Sequence, residues 1–511
     1  MKNFVIEVTP LRGSHTGEFI ANFLNTTMST YLLTYKKLSL VIRDNASNGV
    51  SACDKLKVRH FGCIGHSLHL VIGPFLIENK KKNTEEVVIE DDDSGDDDDD
   101  DVAEFELTEE ETSEEIVNRV RKLTSKFRSI AKYVKNSSKA KEKIENFDAM
   151  SKSNNRDTIH VSLDVRTRWN SALEMLASLL KLKSGLQSFA HYLKTSDGKK
   201  EFSYKKLPDV TEQDWVLIEG LCVVLQPFKN VTAKLSGSNY PTFAQALPYL
   251  RRLKFFLQKA EDRLFTMDTD VQPLKKFIEK YCEEEFFHLV LIDLKACCRV
   301  LLNKFILRFT GLNTNILWVT FLDPRSRKMK HLSENEYERA KNLFVKEVTN
   351  LALDDAACSE SNNNMSSNTD DDYEEDPFLV GADFDSPNNE DPAPMENNSR
   401  GVEECVSAVK REIENYLDPL ISVPPKTDPI HWWEENRHRF PKVAVAARKW
   451  LSVPGTSTPS ERVFSDCGIA LSAKRSTMRG DALMNQILLK NNLRHVLCTV
   501  SDVKKALSKF N

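Results

Sequence analysis

The chain lacks an apolar run of the roughly 20 residues that a bilayer-crossing helix needs. Its best stretch, Phe286 to Leu294, is short and carries His288 and Asp293, so it reads as a core segment. No long apolar region follows Met1-Lys2-Asn3-Phe4, so neither a secretory leader nor a membrane role is expected. The ten cysteines have no framework spacing, and Cys297-Cys298 is their only adjacent pair, which points to a reducing compartment, cytosol or nucleus. No C-x-x-C…H-x₃₋₅-H pattern occurs, which excludes a zinc finger of that type within these residues. Nor is there an internal repeat of solenoid period. Lys and Arg are missing altogether from two long stretches.

Those two stretches shape the charge. Residues 85–115 hold 19 Asp and Glu, and residues 354–396 hold 14 more. With the tracts set aside, the net charge of −5 becomes 43 acids against 71 bases, a surplus of +28. A folded surface that basic fits a polyanionic partner, most simply nucleic acid, although many Lys and Arg also serve as solvated helix faces. At 511 residues the chain allows two or three domains.

Six stretches follow from pattern. Residues 1–75 read as an α/β fragment. Phe4 to Val8 alternates and is β-branched, so it reads as a strand. Ser14 to Tyr35 reads as a helix capped by Thr16, with Phe19, Ile20, Phe23 and Leu24 as its apolar stripe. Leu38 to Ile42 reads as a buried strand, followed by a helix to about Leu56 and a strand near His60 to Cys63. Residues 76–115 form an acidic linker expected to be disordered. Residues 116–352 show helical spacing almost throughout, for example Val117, Val120, Leu123, Phe127 and Ile130. Residues 353–400 are a second acidic, Asn/Ser/Pro-rich segment, again expected to be disordered. Residues 401–496 are helical, with Pro425, Pro429, Pro441 and Pro459 at starts or breaks, and residues 497–511 are a tail.

Several residues carry candidate chemistry. Asp44 sits just past an apolar strand, where α/β folds place catalytic and metal-binding groups; a turn Asp or a helix cap before Ala46 explains it equally well. Glu461 belongs to Thr458-Pro459-Ser460-Glu461, which reads as a capping box with Pro in the first turn. A two-metal nuclease needs several carboxylates around its ions, and Asp44 and Glu461 supply two. His60-x-x-Cys63-x-x-His66-x-x-His69 has metal-like spacing, but a change from strand to helix within it favours packing over zinc. Arg166-Thr167-Arg168-Trp169 sets two guanidiniums beside an aromatic ring, suited to phosphate contact and base stacking, or else to a core Trp flanked by surface arginines. Val463, Phe464, Cys467 and Leu471 follow Glu461 on its helix. Leu483, Ile487 and Leu488 mark an apolar face of the last helix, which packs within the subunit or against a second copy.

The run Thr458-Pro459-Ser460-Glu461-Arg462-Val463-Phe464-Ser465, with Lys474-Arg475 and Leu488-Leu489-Lys490-Asn491-Asn492-Leu493, resembles the C-terminal signature of hAT-superfamily transposases. Further landmarks resemble that family in order: Pro10-Leu11-x-x-Ser14-His15-Thr16, Asp44-Asn45-Ala46-Ser47-Asn48, Cys63-x-x-His66-x-Leu68-x-Leu70, Thr167-Arg168-Trp169-Asn170-Ser171 and Leu322-Asp323-Pro324-Arg325. Among family members the chain is similar to domesticated zinc finger BED domain proteins. The resemblance implies an RNase H-like α/β domain, residues 1–75 with about 401–496, interrupted by a large helical insertion; the whole is mostly α. It brings Asp44 and Glu461 together as the second and third of three metal-binding carboxylates.

The resemblance also sets an expectation of inactivity. The family's first strands, its first catalytic Asp and its BED finger have no counterpart in these residues, so Asp44 and Glu461 are expected to be vestigial. The function expected is that of a non-catalytic nuclear protein, a homodimer through Val463, Phe464, Cys467, Leu471, Leu483, Ile487 and Leu488. DNA contact is expected through Arg166, Arg168, Trp169, Lys474 and Arg475. No cofactor, metal or small-molecule substrate is expected. The alternatives are an active metal-dependent transposase or nuclease using Asp44 and Glu461, or an interaction scaffold using the acidic tracts.

Overall fold

The computed structural model describes residues 4–9, 13–35, 38–77, 111–151, 161–165, 168–203, 206–238, 240–309, 316–329, 332–363, 397–470 and 480–496. Arg166, Leu471, Lys474 and Arg475 lie outside the described residues, as do 85–110 of the first acidic tract and 364–396 of the second.

The protein is mostly helical. In chain order its elements are α1 (Gly17–Thr30), β1 (Val41–Arg43), α2 (Ser47–Lys55), β2 (His60–Gly62), α3 (Ile64–Leu76), α4 (Glu111–Asn136), α5 (Ser138–Ser151), α6 (Trp169–Lys181), α7 (Lys183–Tyr192), α8 (Ser196–Glu201) and α9 (Glu212–Leu235). They continue with α10 (Phe243–Asp262), α11 (Gln272–Tyr281), α12 (Phe287–Phe309), a 3-10 segment at Leu317–Leu322, α13 (Glu334–Asn363), α14 (Asn397–Leu417), α15 (Pro429–Asn436), α16 (Pro441–Trp450), α17 (Thr458–Ala470) and α18 (Gly480–Val496). The chain divides into two compact units. One joins residues 2–237, 249–311 and 455–511; the other joins 238–248 and 312–454. Residues 401–454 therefore pack with α13, while 455–496 share a unit with the N-terminal α/β fragment.

In the first unit β1 and β2 pair in parallel, Val41 opposite His60 and Arg43 opposite Gly62, with α2 as the crossover. Thr16 caps α1 by accepting the Phe19 N–H. The α1 stripe is only partly covered: Ala21 is buried, whereas Phe19 is exposed. Phe4 to Val8, expected as a strand, joins no ladder among the described residues. The Asn492 side chain takes its backbone instead: Val5 N–H donates to Asn492 Oδ1 at 2.8 Å, and Asn492 Nδ2 donates to Val5 O at 2.7 Å. Alternation alone signals a strand, but a strand also needs a neighbouring backbone, and here a carboxamide fills that place.

Helix α3 is apolar almost all round, so it can be stable only inside. Ile64, Leu68, Val71, Ile72 and Phe75 are buried, and α3 packs against α4, α6, α9 and α12. Each such side chain contributes about 1.5–3 kcal/mol when fully buried. Its C-terminal carbonyls are met by cations, which suits the negative end of the helix dipole. Arg121 Nε donates to Pro74 O at 3.1 Å and Arg128 Nη2 to Leu76 O at 3.0 Å. Helix α9 is long and apolar enough by composition to cross a membrane, which corrects the expectation that no stretch is; more than half of it is buried in the protein, as in a core helix. Phe127 meets Trp215 of α9 edge to face at 4.7 Å.

In the second unit, α13, α14 and α16 enclose an aromatic core. Trp318 lies edge to face on Trp450 at 4.9 Å, and Tyr416 packs on Trp433 at 5.1 Å. The Leu322-Asp323-Pro324-Arg325 step builds a turn of this unit. Asp323 is buried and accepts from Arg325 Nε at 2.9 Å, from Arg325 Nη2 at 2.6 Å and from Gln245 Nε2 at 2.6 Å. A buried carboxylate needs such partners, and they account for this Asp as structural.

Candidate functional site

Two segments far apart in sequence meet at the N-terminal end of α3. Cys63 caps that helix, and its Sγ accepts the His66 N–H at 3.4 Å. The same sulfur accepts the Ser457 N–H at 3.3 Å, and Ile64 N–H donates to Gly455 O at 3.3 Å. Gly65 allows this approach: a Cβ there would lie 3.3 Å from the Thr456 methyl. The Thr458 hydroxyl donates to Ser236 Oγ at 3.2 Å, and Arg462 Nη2 donates to Ser236 O at 3.0 Å, tying the start of α17 to the end of α9.

Asp44 follows β1 directly and is exposed. Its Oδ1 accepts the Ala46 N–H at 3.2 Å, so it makes the turn that starts α2. Glu461 is also exposed, and its Oε1 accepts from the Ser457 hydroxyl at 3.0 Å. The capping arrangement is shifted by one residue from the expected one. Ser457 precedes the helix and its carbonyl accepts the Ser460 and Glu461 N–H groups, while Thr458 is the first helical residue. Thr458 is drawn out of the cap position by its own bond to Ser236.

Both carboxylates bear on the charge of His66. Burial pushes its pKa below the ordinary histidine value; Asp44 opposes that shift, Arg308 adds to it, and Glu461 opposes it. Both carboxylates therefore act on one imidazole. One turn on, His69 is pushed down to about 4, first by burial and then by His66. The two rings are 6.0 Å apart.

These groups do not form a metal cage. Among the described residues no three His, Cys, Asp or Glu side chains converge as ion ligands. His60 is turned to Asp54, Nε2 to Oδ1 at 2.9 Å, and to Arg43, while Cys63 is committed to capping. Asp44 and Glu461 supply two carboxylates where an ion pair needs several.

Of the expected DNA contacts, Arg168 is exposed just before α6. Trp169 is not available for base stacking: it is the first residue of α6 and lies buried in the core, so the stacking expectation is corrected. The burial of the indole anchors the helix start. Ser171 fixes the approach, its Oγ donating to Arg168 O at 2.6 Å and accepting the Val165 N–H at 2.9 Å.

The last two helices form a pair. Lys490 Nζ bonds Asp466 Oδ1 at 2.5 Å, and Asn491 Nδ2 bonds Asp466 Oδ2 at 3.5 Å. That lysine, first among the causes, holds the Asp466 carboxyl below its usual value. Of the apolar residues expected at a dimer contact, Ile487 is buried within the chain, and Val463, Cys467, Leu483 and Leu488 are half-buried. Phe464 does face outward, 69% exposed, with three residues that the sequence reading did not select: Ile469 at 69%, Leu489 at 60% and Leu493 at 43%. Leu489 and Leu493 stand one helical turn apart, so the spacing signal was present; periodicity gives the faces of a helix but not which one is covered.

Residues 412–493 match the hAT family C-terminal dimerisation region, and residues 62–224 match the ZBED1 RNase-like helical domain. A Zea mays protein carrying the name AC transposase is 25% identical over 338 residues, 65% of this chain and 36% of that relative. Zinc finger BED domain-containing protein 4 of Homo sapiens is 22% identical over 73% of this chain and 27% of its own length. Zinc finger BED domain-containing protein DAYSLEEPER of Arabidopsis thaliana is 23% identical over 60% of this chain and 37% of its own. The matched stretches thus span about a third of the curated relatives. Two regions of the chain thus match a hAT dimerisation domain and a ZBED1-like domain, and the relatives it is similar to are hAT transposases and zinc finger BED proteins at low identity.

Proposed function

We propose that this transposase-like chain is a non-catalytic nuclear protein that self-associates through α17 and α18 and binds DNA. The observation that carries the reading is that the matched dimerisation region exposes large apolar side chains on both of its last helices, Phe464 and Ile469 on α17 and Leu489 and Leu493 on α18. Large apolar side chains left exposed in a region that matches a dimerisation domain suit a protein contact better than solvent. Light scattering on the full chain at micromolar concentration tests it. A mass near twice 58.3 kDa is expected, and a clean monomer would remove the reading.

The non-catalytic part rests on donor chemistry. Asp44 and Glu461 are each engaged locally, by the Ala46 N–H and the Ser457 hydroxyl, and no third ligand converges with them among the described residues. The DNA part rests on the surplus of +28 outside the acidic tracts and on the exposed Arg168.

A second reading has one observation in its favour: both carboxylates act on His66 although more than 400 positions separate them in the chain. In that reading the chain is a metal-dependent nuclease. Incubation with duplex DNA and Mg²⁺ or Mn²⁺ decides between the two. We expect no nicking, whereas nicking that Glu461→Ala abolishes would establish the enzyme.

A further inference from the structure

We propose that the solvent face of α10, with Phe255 between Arg252 and Lys259, binds a single DNA strand, the ring stacking on an unpaired base while the cations meet its phosphates. The proposal rests on the DNA-binding reading above and adds to it a site and the unpaired state of the strand.

The charge of this region is one-sided. Residues 220–260 hold six Lys and Arg and no Asp or Glu, the reverse of the two acidic tracts. Four of the six, Arg251, Arg252, Lys254 and Lys259, fall on α10. Cations with no acids interleaved set up a field that attracts a polyanion.

The helix sorts its residues by face. Leu250, Leu253, Leu257 and Ala260 recur at helical spacing and are buried. Phe255 falls on the opposite side and is 59% exposed. Arg252 stands three residues before it and Lys259 four after, so the three share that face. Arg252 is exposed, and Lys259 Nζ lies 4.9 Å from the centre of the Phe255 ring. Lys259 Nζ also donates to Asp270 Oδ2 at 2.8 Å, which steadies the lysine over the ring. An ion pair as open to water as this one is weak, so a phosphate can take the carboxylate's place.

An isolated exposed Phe needs no explanation. This one is set between cations on an acid-free helix. Those are the two parts of a single-strand site: charge that tracks the backbone, and a ring on which any base can stack. A duplex keeps the faces of its bases within its own stack, so it meets the cations and leaves the ring unused. An anionic membrane calls for a broad apolar face, and the leucines of α10 are buried in the protein.

Fluorescence anisotropy of the full chain with a labelled oligothymidylate, and with a duplex of the same length, tests the proposal. Phe255→Leu keeps an apolar side chain without the ring, and Phe255→Trp keeps a ring. Both replace an exposed residue, so circular dichroism and the melting point should stay at wild type. We expect Phe255→Leu to weaken single-strand binding about tenfold, the scale of one lost stacked base, while duplex affinity holds and Phe255→Trp binds as wild type does. Arg252→Ala should weaken both DNAs and lower the salt slope by about 1. Unchanged single-strand affinity in Phe255→Leu would overturn the site and leave the DNA-binding reading standing. So would an equal loss on the duplex, or a loss of binding to phosphatidylserine vesicles with none on the oligonucleotide. A wild-type chain with no affinity for either DNA would end both readings.

Discussion

The Ser457 N–H donates to the Cys63 sulfur at 3.3 Å, a bond between positions 394 apart in sequence. Through it, the residue that starts α3 also receives the backbone at the start of α17. The arrangement places Asp44, His66 and Glu461 in one neighbourhood. The joint makes the N-terminal α/β fragment and the C-terminal hairpin parts of one compact unit.

Cys63→Ala removes the acceptor for two N–H groups and leaves a small buried void. We expect a loss of about 1–2 kcal/mol, the scale of a lost cap with unpaired donors. Cys63→Ser keeps an acceptor and should cost less. Urea unfolding of both variants checks the order; equal stability of Cys63→Ala and wild type would remove the bond from the account.

Stability should fall in mild acid. His69 has a folded pKa of about 4 against an ordinary value of 6.5, so the unfolded chain binds its proton more readily. The contribution is full above about 6.5 and is lost progressively as pH drops towards 4. Its ceiling is about 3 kcal/mol, from roughly 1.4 kcal/mol per pKa unit. His66 shifts in the same direction through burial and adds to the effect. Chemical unfolding between pH 4 and 7 measures it, and His69→Leu should flatten the profile.

Helix α18 should divide its residues by role. Ile487 is buried, so Ile487→Ala should destabilise the fold by about 2–4 kcal/mol in a melt. Leu489 and Leu493 are exposed, so their replacement by Ala should leave the monomer's melting point within experimental scatter.

Arg168 and Trp169 should separate in the same way. Arg168→Ala should weaken duplex binding and reduce the salt slope by about 1, if one phosphate contact is lost. Trp169→Ala should instead cost about 3–5 kcal/mol of stability, as a core aromatic does. A stable Trp169→Ala that loses only single-strand binding would restore the stacking role.

Much of the fold was legible because its signals are local. The run Leu38 to Ile42 marked β1, the turn residue Asp44 followed it, and Thr16 capped α1. What was misread depends on distant partners. Phe4 to Val8 alternates like a strand, but Asn492, near the other end of the chain, decides its pairing. Thr458 looks like a cap, yet Ser236 engages its hydroxyl and Ser457 takes the cap position. Trp169 beside Arg168 fits stacking and core packing equally until burial is known. The apolar face of α18 was found through Leu483 and Ile487, the side turned inward, because helical spacing does not say which side a neighbour covers.

Sedimentation equilibrium of Phe464→Asp/Leu489→Asp against wild type bears most directly on the central claim. We expect a wild-type dimer and a folded double variant that sediments as a monomer at the same concentration. A double variant that dimerises as wild type does would contradict it.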